Sequence, residues 1–188
     1  MPDSLKRAGA EVLLKLCFYD TNSGSSADRL VLYLKDYKDK RVFKYISAEL
    51  CREIKNYFYK NQKSFKNVVF TYSPRSRSGV AQKGFDQAQL ITKYCAEYFG
   101  TVFGITVKRS FWGKQQKGLS VKKRDENAKR SFVLEKGINI KGTTVVLIDD
   151  VVTTGASLAA CTKILRSAGA ETVICVSIAR TEKFLGKH

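Results

Sequence analysis

The stretch VVLIDDVVTTGAS, residues 145–157, constrains the fold of this chain more than any other. Val145, Val146, Leu147 and Ile148 run without polar alternation, the pattern of a central parallel strand covered on both faces. Beyond them Leu158, Cys161, Ile164 and Leu165 recur at helical spacing, and Gly169 stands where a left-handed cap would close the helix. The unit reads as strand, tight loop, helix. In that arrangement the loop amides and the positive end of the helix face the carboxyl edge of the sheet, where they hold a phosphate without a lysine. Gly155 lets the backbone come close to an anion, and the hydroxyls of Thr153, Thr154 and Ser157 add hydrogen bonds. Asp149 and Asp150 repel a phosphate but suit the neutral hydroxyls of a sugar attached to it. A ribose 5-phosphate satisfies both halves.

Strands and helices alternate along residues 67–178. Residues 10–19 read as a strand, followed by helices at 27–37 (Leu30, Leu34 and Tyr37 on one side) and 43–59 (Ile46, Leu50, Ile54 and Phe58). A strand at 67–73 precedes a helix at 84–99, whose inner face carries Ala88, Ile91, Cys95 and Phe99. Short strands follow at 105–109 and 131–134, then the strand at 143–149 and a further one at 172–178. This order predicts an α/β fold with a doubly wound, mostly parallel sheet, and ligands bind such sheets beyond the strand carboxyl ends. The expected division is an accessory segment over residues 1–66, a strand plus two helices, and a core over 67–188.

The chain has 188 residues and a net charge of +17, which draws polyanionic partners. Residues 108–130 hold nine basic and two acidic side chains, and 74–83 hold three basic and none acidic, so +10 of the total sits in two loop-like segments flanking the candidate site. The excess over 35–66 is spread along helical sequence and reads as a solvated face. Phe111 and Trp112 read as packing at the hinge of the basic segment before they read as a stacking platform. The five cysteines, Cys17, Cys51, Cys95, Cys161 and Cys175, are dispersed and read as reduced core residues. His188 is the sole histidine and terminal, which argues against imidazole catalysis and a His-ligated metal. No span of eighteen apolar residues and no secretory leader pattern is present, so a soluble cytoplasmic protein with no membrane association is expected. An apolar strand ending in two acids also resembles a Walker B strand, but no G-x-x-x-x-G-K-[ST] loop exists to partner it.

Four apolar residues, two acids, two variable positions and Thr-Thr-Gly-x-Ser resemble the 5-phosphoribosyl 1-pyrophosphate (PRPP) signature of the type I phosphoribosyltransferases. Two further stretches narrow the resemblance to the ComF family, competence-associated proteins related to amidophosphoribosyltransferases. SPRSRSGVAQKGFDQAQLI is similar to that family's motif through Pro74, Lys83, Gly84, Phe85 and Gln87. KQQKGLSVKKRDENAKRSF is similar through Gln116, Leu119, Ser120, Arg124, Asn127 and Phe132. Lys83 and Asp86 depart from the family's arginine and asparagine. The four-cysteine zinc hairpin with which many members begin has no counterpart in this sequence, so roles tied to it are not carried over.

The resemblance implies a type I phosphoribosyltransferase fold and a site for PRPP. Asp149 and Asp150 would bind the ribose hydroxyls, and Thr153, Thr154, Gly155, Ala156 and Ser157 the 5′-phosphate. Ser73, Pro74, Arg75, Ser76 and Arg77 would cradle the pyrophosphate. Arg124, with Lys123 and Lys122, would close over the leaving group as catalytic cations. Mg²⁺ is implied as a cofactor bound mainly through PRPP, with no protein metal site, and residues 1–66 would supply the hood that selects the acceptor. The function implied is PRPP binding with phosphoribosyl transfer and pyrophosphate release in competence and DNA uptake. The alternative is a non-catalytic adaptor on the same fold that binds single-stranded DNA and docks to a helicase or recombination partner. Neither the acceptor nor the oligomeric state can be read from the sequence.

Overall fold

The computed structural model describes residues 1–20, 24–110 and 132–181. Its centre is the apolar run of the sequence. Strand β6 (Thr144–Val152) is flanked by β7 (Thr172–Thr181) and β2 (Val68–Tyr72), and the sheet is completed by β1 (Val12–Tyr19) beyond β7 and by the two-residue β3 (Val102–Phe103) beyond β2. The order β1-β7-β6-β2-β3 is parallel throughout. A separate antiparallel ribbon joins β4 (Val107–Arg109) to β5 (Phe132–Leu134). The strand read at residues 10–19 thus forms one edge of the main sheet, pairing along β7 from Val12↔Ile174 to Tyr19↔Thr181.

Alternation along β6 divides the core into two layers. Val146 and Ile148 face a cluster with Phe70, Ile174 and Val176, covered by α2 (Ser26–Asp36), α3 (Lys40–Lys60) and α5 (Gln87–Phe99). Val145 and Leu147 face the other side, with Val173 and Cys175, covered by α1 (Asp3–Ala8) and α6 (Ala156–Ser167). The stripe expected on α3 is fully used: Phe43, Ile46, Leu50, Ile54 and Phe58 are all buried. At the end of α6 the turn places Gly169 at φ 93, and Ala170 N–H returns to the Leu165 carbonyl at 3.1 Å.

Several elements differ from the sequence reading. Both β6 and β7 run three residues beyond the expected ends, because Val151 and Val152 find partners in Ala179 and Arg180. Both acids therefore lie inside the strand, where the sequence reading ends it at Asp149. The helix expected at 84–99 begins three residues later as α5, and it is preceded by an unexpected short helix, α4 (Arg77–Lys83), which Gly84 closes at φ 74 as a left-handed cap. Phe85 follows that cap and turns inward, edge-on to Phe43 at 5.9 Å. The sequence also gave no sign of α1, whose Leu5 is fully buried against the α6 layer.

Candidate functional site

The carboxyl ends of β2 and β6 lie side by side, joined where Ser73 N–H donates to the Ile148 carbonyl at 2.9 Å. Adjacency of the two strands brings the loop after β2 against the acids of β6. Ser73, Pro74, Arg75, Asp149, Asp150 and Ser157 line one cavity of about 180 Å³. Asp86, Gln87, Ala88, Arg109 and Val151 complete its wall. A wider cavity of about 390 Å³ shares Pro74, Arg75 and Arg109 with it; Arg77 lines only this second space.

Within the acidic pair, Asp150 N–H donates to Asp149 Oδ1 at 3.0 Å and Val151 N–H to Asp150 Oδ1 at 2.7 Å. Burial holds the Asp149 carboxyl well above the usual carboxylate range, and the neighbouring Asp150 charge adds to the shift. Burial also raises Asp86, and the charge of Asp150 acts in the same sense, against the lowering effect of two backbone amides. Burial lowers Arg109. Tyr72, buried behind the loop, is pushed up to about 12 by burial and by Asp86. Three carboxyls thus crowd a space whose nearest cations are Arg75 and Arg109, an arrangement that attracts a ligand bringing hydroxyl groups and a counter-cation.

The loop from β6 to α6 has an open helix start. Gly155 is the N-cap at φ 76 and supplies no side-chain acceptor, so α6 begins without a side-chain cap. One first-turn amide, that of Ala156, is turned inward to Thr154 Oγ1 at 3.3 Å. Ser157 reaches the cavity, whereas Thr153 and Thr154 are exposed. The close approach at Gly155 is made by the protein itself: a Cβ there would stand 3.3 Å from both Pro2 Cγ and Ser4 Oγ. Ser4 Oγ also donates to the Thr154 carbonyl at 3.1 Å.

In the loop after β2, Ser76 caps α4 by accepting Gly79 N–H at 3.1 Å. The Arg75 side chain is held by Gln87 Oε1, and the Gln87 amide nitrogen donates to the Lys35 carbonyl at 3.2 Å at the end of α2. Lys83, one of the two departures from the family motif, pairs with Asp36 of α2 at 2.5 Å. Lys122, Lys123 and Arg124 lie outside the described residues. Sequence reasoning missed Asp86 and Arg109 as cavity residues. Asp86 stood inside a recognisable motif, but nothing set Arg109 apart from the other basic residues of its segment.

The Phosphoribosyl transferase domain family matches residues 79–184, which include α5, the acidic pair and the β6–α6 loop. The chain belongs to this family. It is 34% identical over 101 residues to the DNA utilization protein YhgH of Salmonella typhi, covering 53% of this chain and 44% of that protein. Competence protein F of Haemophilus influenzae shows the same identity, length and coverage. The chain thus spans less than half the length of the curated relatives it matches. Among solved structures, an adenine phosphoribosyltransferase superposes with a TM-score of 0.50 at 16% identity, covering 79% of this chain and 75% of that one. That likeness supports the type I phosphoribosyltransferase fold predicted for this member of the family. Among the described residues no helix is long and apolar enough to cross a membrane.

Proposed function

We propose that the chain binds PRPP in the cavity between the loop after β2 and the acids of β6, and transfers its phosphoribosyl group. The observation that carries this reading is the placement of Asp149 and Asp150 in one small cavity with Arg75, Arg109 and Ser157, beside the uncapped start of α6. Carboxylates suit the ribose hydroxyls, open amides suit the 5′-phosphate, and guanidinium groups suit the diphosphate. In the transfer, a nitrogen nucleophile bonds to the anomeric carbon, the bond to the diphosphate oxygen breaks, and the nucleophile gives up a proton. Fixed positive groups that hold the departing diphosphate more strongly as charge builds on it lower the barrier.

Mg²⁺ fits this donor set as a ligand-borne ion. Among the described residues no group of three side chains is arranged to hold a metal alone, while three carboxyls line the cavity. Mg²⁺ commonly takes one or two carboxylates and fills its remaining positions with phosphate oxygens and water. When bound it would neutralise diphosphate charge, and Asp149 and Asp150 are the residues that would face it. Lys122, Lys123 and Arg124 remain the proposed closing cations. Helices α2 and α3 of residues 1–66 are the proposed hood, in contact with the site through Gln87.

The test is thermal unfolding with PRPP and Mg²⁺, paired with an assay for pyrophosphate release in the presence of bases, ammonia or no acceptor. A ligand at about 100 times its Kd stabilises by about 2.7 kcal/mol, roughly 5–10 °C in Tm for a chain of this size. No shift at millimolar PRPP would sink the reading.

A second reading is supported by the charge of +17 and by the outer face of α3 and α5. There Arg52, Lys55, Tyr59 and Tyr98 line a groove of about 420 Å³, and Tyr59 is 87% exposed. Exposed aromatics between cations suit stacked bases and phosphates, and two relatives are named for DNA utilization and competence. On this reading the chain is an adaptor for single-stranded DNA, with a helicase or recombination protein as partner. Its affinity should fall with salt at a slope near −0.7 per phosphate neutralised; a flat response excludes it.

A further inference from the structure

We infer that Arg109 is the fixed cation that holds the diphosphate end of the ligand, anchored at the base of the β4–β5 ribbon. The inference rests on the PRPP reading and assigns a residue within it. It begins with what the loop after β2 cannot offer. Ser73 N–H is spent on the Ile148 carbonyl at 2.9 Å, Pro74 has no N–H, and Arg75 N–H is spent on Asp86 Oδ2 at 2.8 Å. Residues 73–75 therefore present no free amide to an anion, and along that stretch the donors come from side chains.

Arg109 is built for that task. It ends β4 directly opposite Phe132 of β5, and the ring of Phe132 covers its guanidinium, 4.6 Å from the centroid. Its Nε donates to the Pro74 carbonyl at 3.0 Å. The ring fixes the plane and the carbonyl fixes one edge, leaving the terminal nitrogens, which carry four of the five N–H donors of the fork. The side chain lines both the acidic cavity and the wider one beside it. Of the other cations at hand, Lys108 is paired with Glu135 at 2.9 Å and Arg75 gives a terminal nitrogen to Gln87, whereas Arg109 keeps both of its terminal nitrogens. Among the described residues Arg109 makes no ion pair, although Asp149, Asp150 and Asp86 line the same cavity. Burial meanwhile disfavours its charged form. A half-buried guanidinium, rigidly held and without a paired anion, is complementary to a phosphate oxygen pair.

The experiment is calorimetric titration of the full chain with three probes: PRPP with Mg²⁺, diphosphate with Mg²⁺, and ribose 5-phosphate. Wild type is compared with Arg109→Gln and with Arg109→Lys, which keeps the charge and loses the fork. Arg109→Gln should weaken diphosphate and PRPP at least tenfold and leave ribose 5-phosphate within twofold; Arg109→Lys should fall between. Undiminished diphosphate binding by Arg109→Gln overturns the assignment. So does an equal loss of all three probes in both variants, which marks a purely structural role. Wild type that binds neither PRPP nor ribose 5-phosphate overturns the PRPP reading itself, a different failure.

Discussion

The carboxylate of Asp86 accepts the backbone N–H of Arg75 at 2.8 Å through Oδ2, while its Oδ1 accepts Gln89 N–H at 3.2 Å. One side chain thus caps α5 and pins the loop after β2. This is the position at which the chain departs from the asparagine of the ComF motif, and both carboxylate oxygens are used. An asparagine presents one acceptor oxygen and one donor nitrogen, so it can satisfy one of these two amides but not both in the same geometry.

Asp86→Ala should therefore destabilise by about 1–3 kcal/mol, from the lost cap and the freed Arg75 amide. Asp86→Asn keeps one of the two bonds and removes a charge that burial disfavours, so its cost should stay below about 1 kcal/mol. Urea unfolding of both variants measures the difference. Equal costs would mean that the second amide bond contributes nothing.

Asp149 supports a prediction in which stability and function move in opposite directions. Its folded carboxyl titrates above the unfolded one because burial and the Asp150 charge disfavour ionisation. The unfolded chain releases this proton first, near pH 4, so folding loses stability from there upward until the folded group also ionises. Asp149→Asn removes that loss. Without ligand, the variant should match wild type below about pH 4 and become progressively more stable than wild type as the pH rises toward 7. It should also lose most of the shift produced by PRPP with Mg²⁺. Thermal scans across pH, with and without ligand, test both statements, and a variant less stable than wild type at pH 7 contradicts the first.

The parts of the molecule legible in the sequence are those in which one local rule decides the outcome. Val145 to Ile148 are apolar on both faces because they are covered on both faces, and Gly169 closes a helix because its backbone is left-handed. What escaped was decided by contacts between distant segments. Helix α1 has six residues and no side-chain cap, so little in its own sequence specifies it, and it is held by Leu5 under α6. Strand β3 has two residues and exists because Val69 and Phe70 lie beside it. The ends of β6 and β7 extend each other. Arg109 was one basic residue among nine in its segment, and only Pro74 and Phe132, brought from elsewhere, distinguish it.

Gln87 links the proposed hood to the loop after β2, since its oxygen accepts from Arg75 and its nitrogen donates to the Lys35 carbonyl. It is 1% exposed, so removing its amide strands partners in a place water scarcely reaches. Gln87→Leu should cost about 1–3 kcal/mol in stability. It should also release the Arg75 guanidinium and change diphosphate affinity more than ribose 5-phosphate affinity. Calorimetry with the two probes separates this from a uniform loss, which would show that the link does not reach the loop.

The contact of the first residues with the β6–α6 loop gives a prediction that can be dissected by a mutant cycle. Gly155 has φ 76, and an added Cβ would stand 3.3 Å from Pro2 Cγ and Ser4 Oγ. Gly155→Ala therefore meets two penalties, a left-handed backbone worth about 1–2 kcal/mol and a contact that Pro2 or Ser4 must yield to. The total should be about 2–4 kcal/mol. Pro2→Ala in the Gly155→Ala background removes the crowding Cγ and leaves the backbone penalty and the Ser4 Oγ contact, so the double variant should recover roughly 1 kcal/mol beyond additivity. Ser4→Ala alone, which deletes the 3.1 Å bond to the exposed Thr154, should cost no more than about 1 kcal/mol because water replaces the donor. Denaturation of the four chains in the Pro2 and Gly155 cycle measures the coupling. A strictly additive cycle would show that the Pro2 ring does not crowd a Cβ at position 155, leaving the cost to backbone conformation and to Ser4 Oγ.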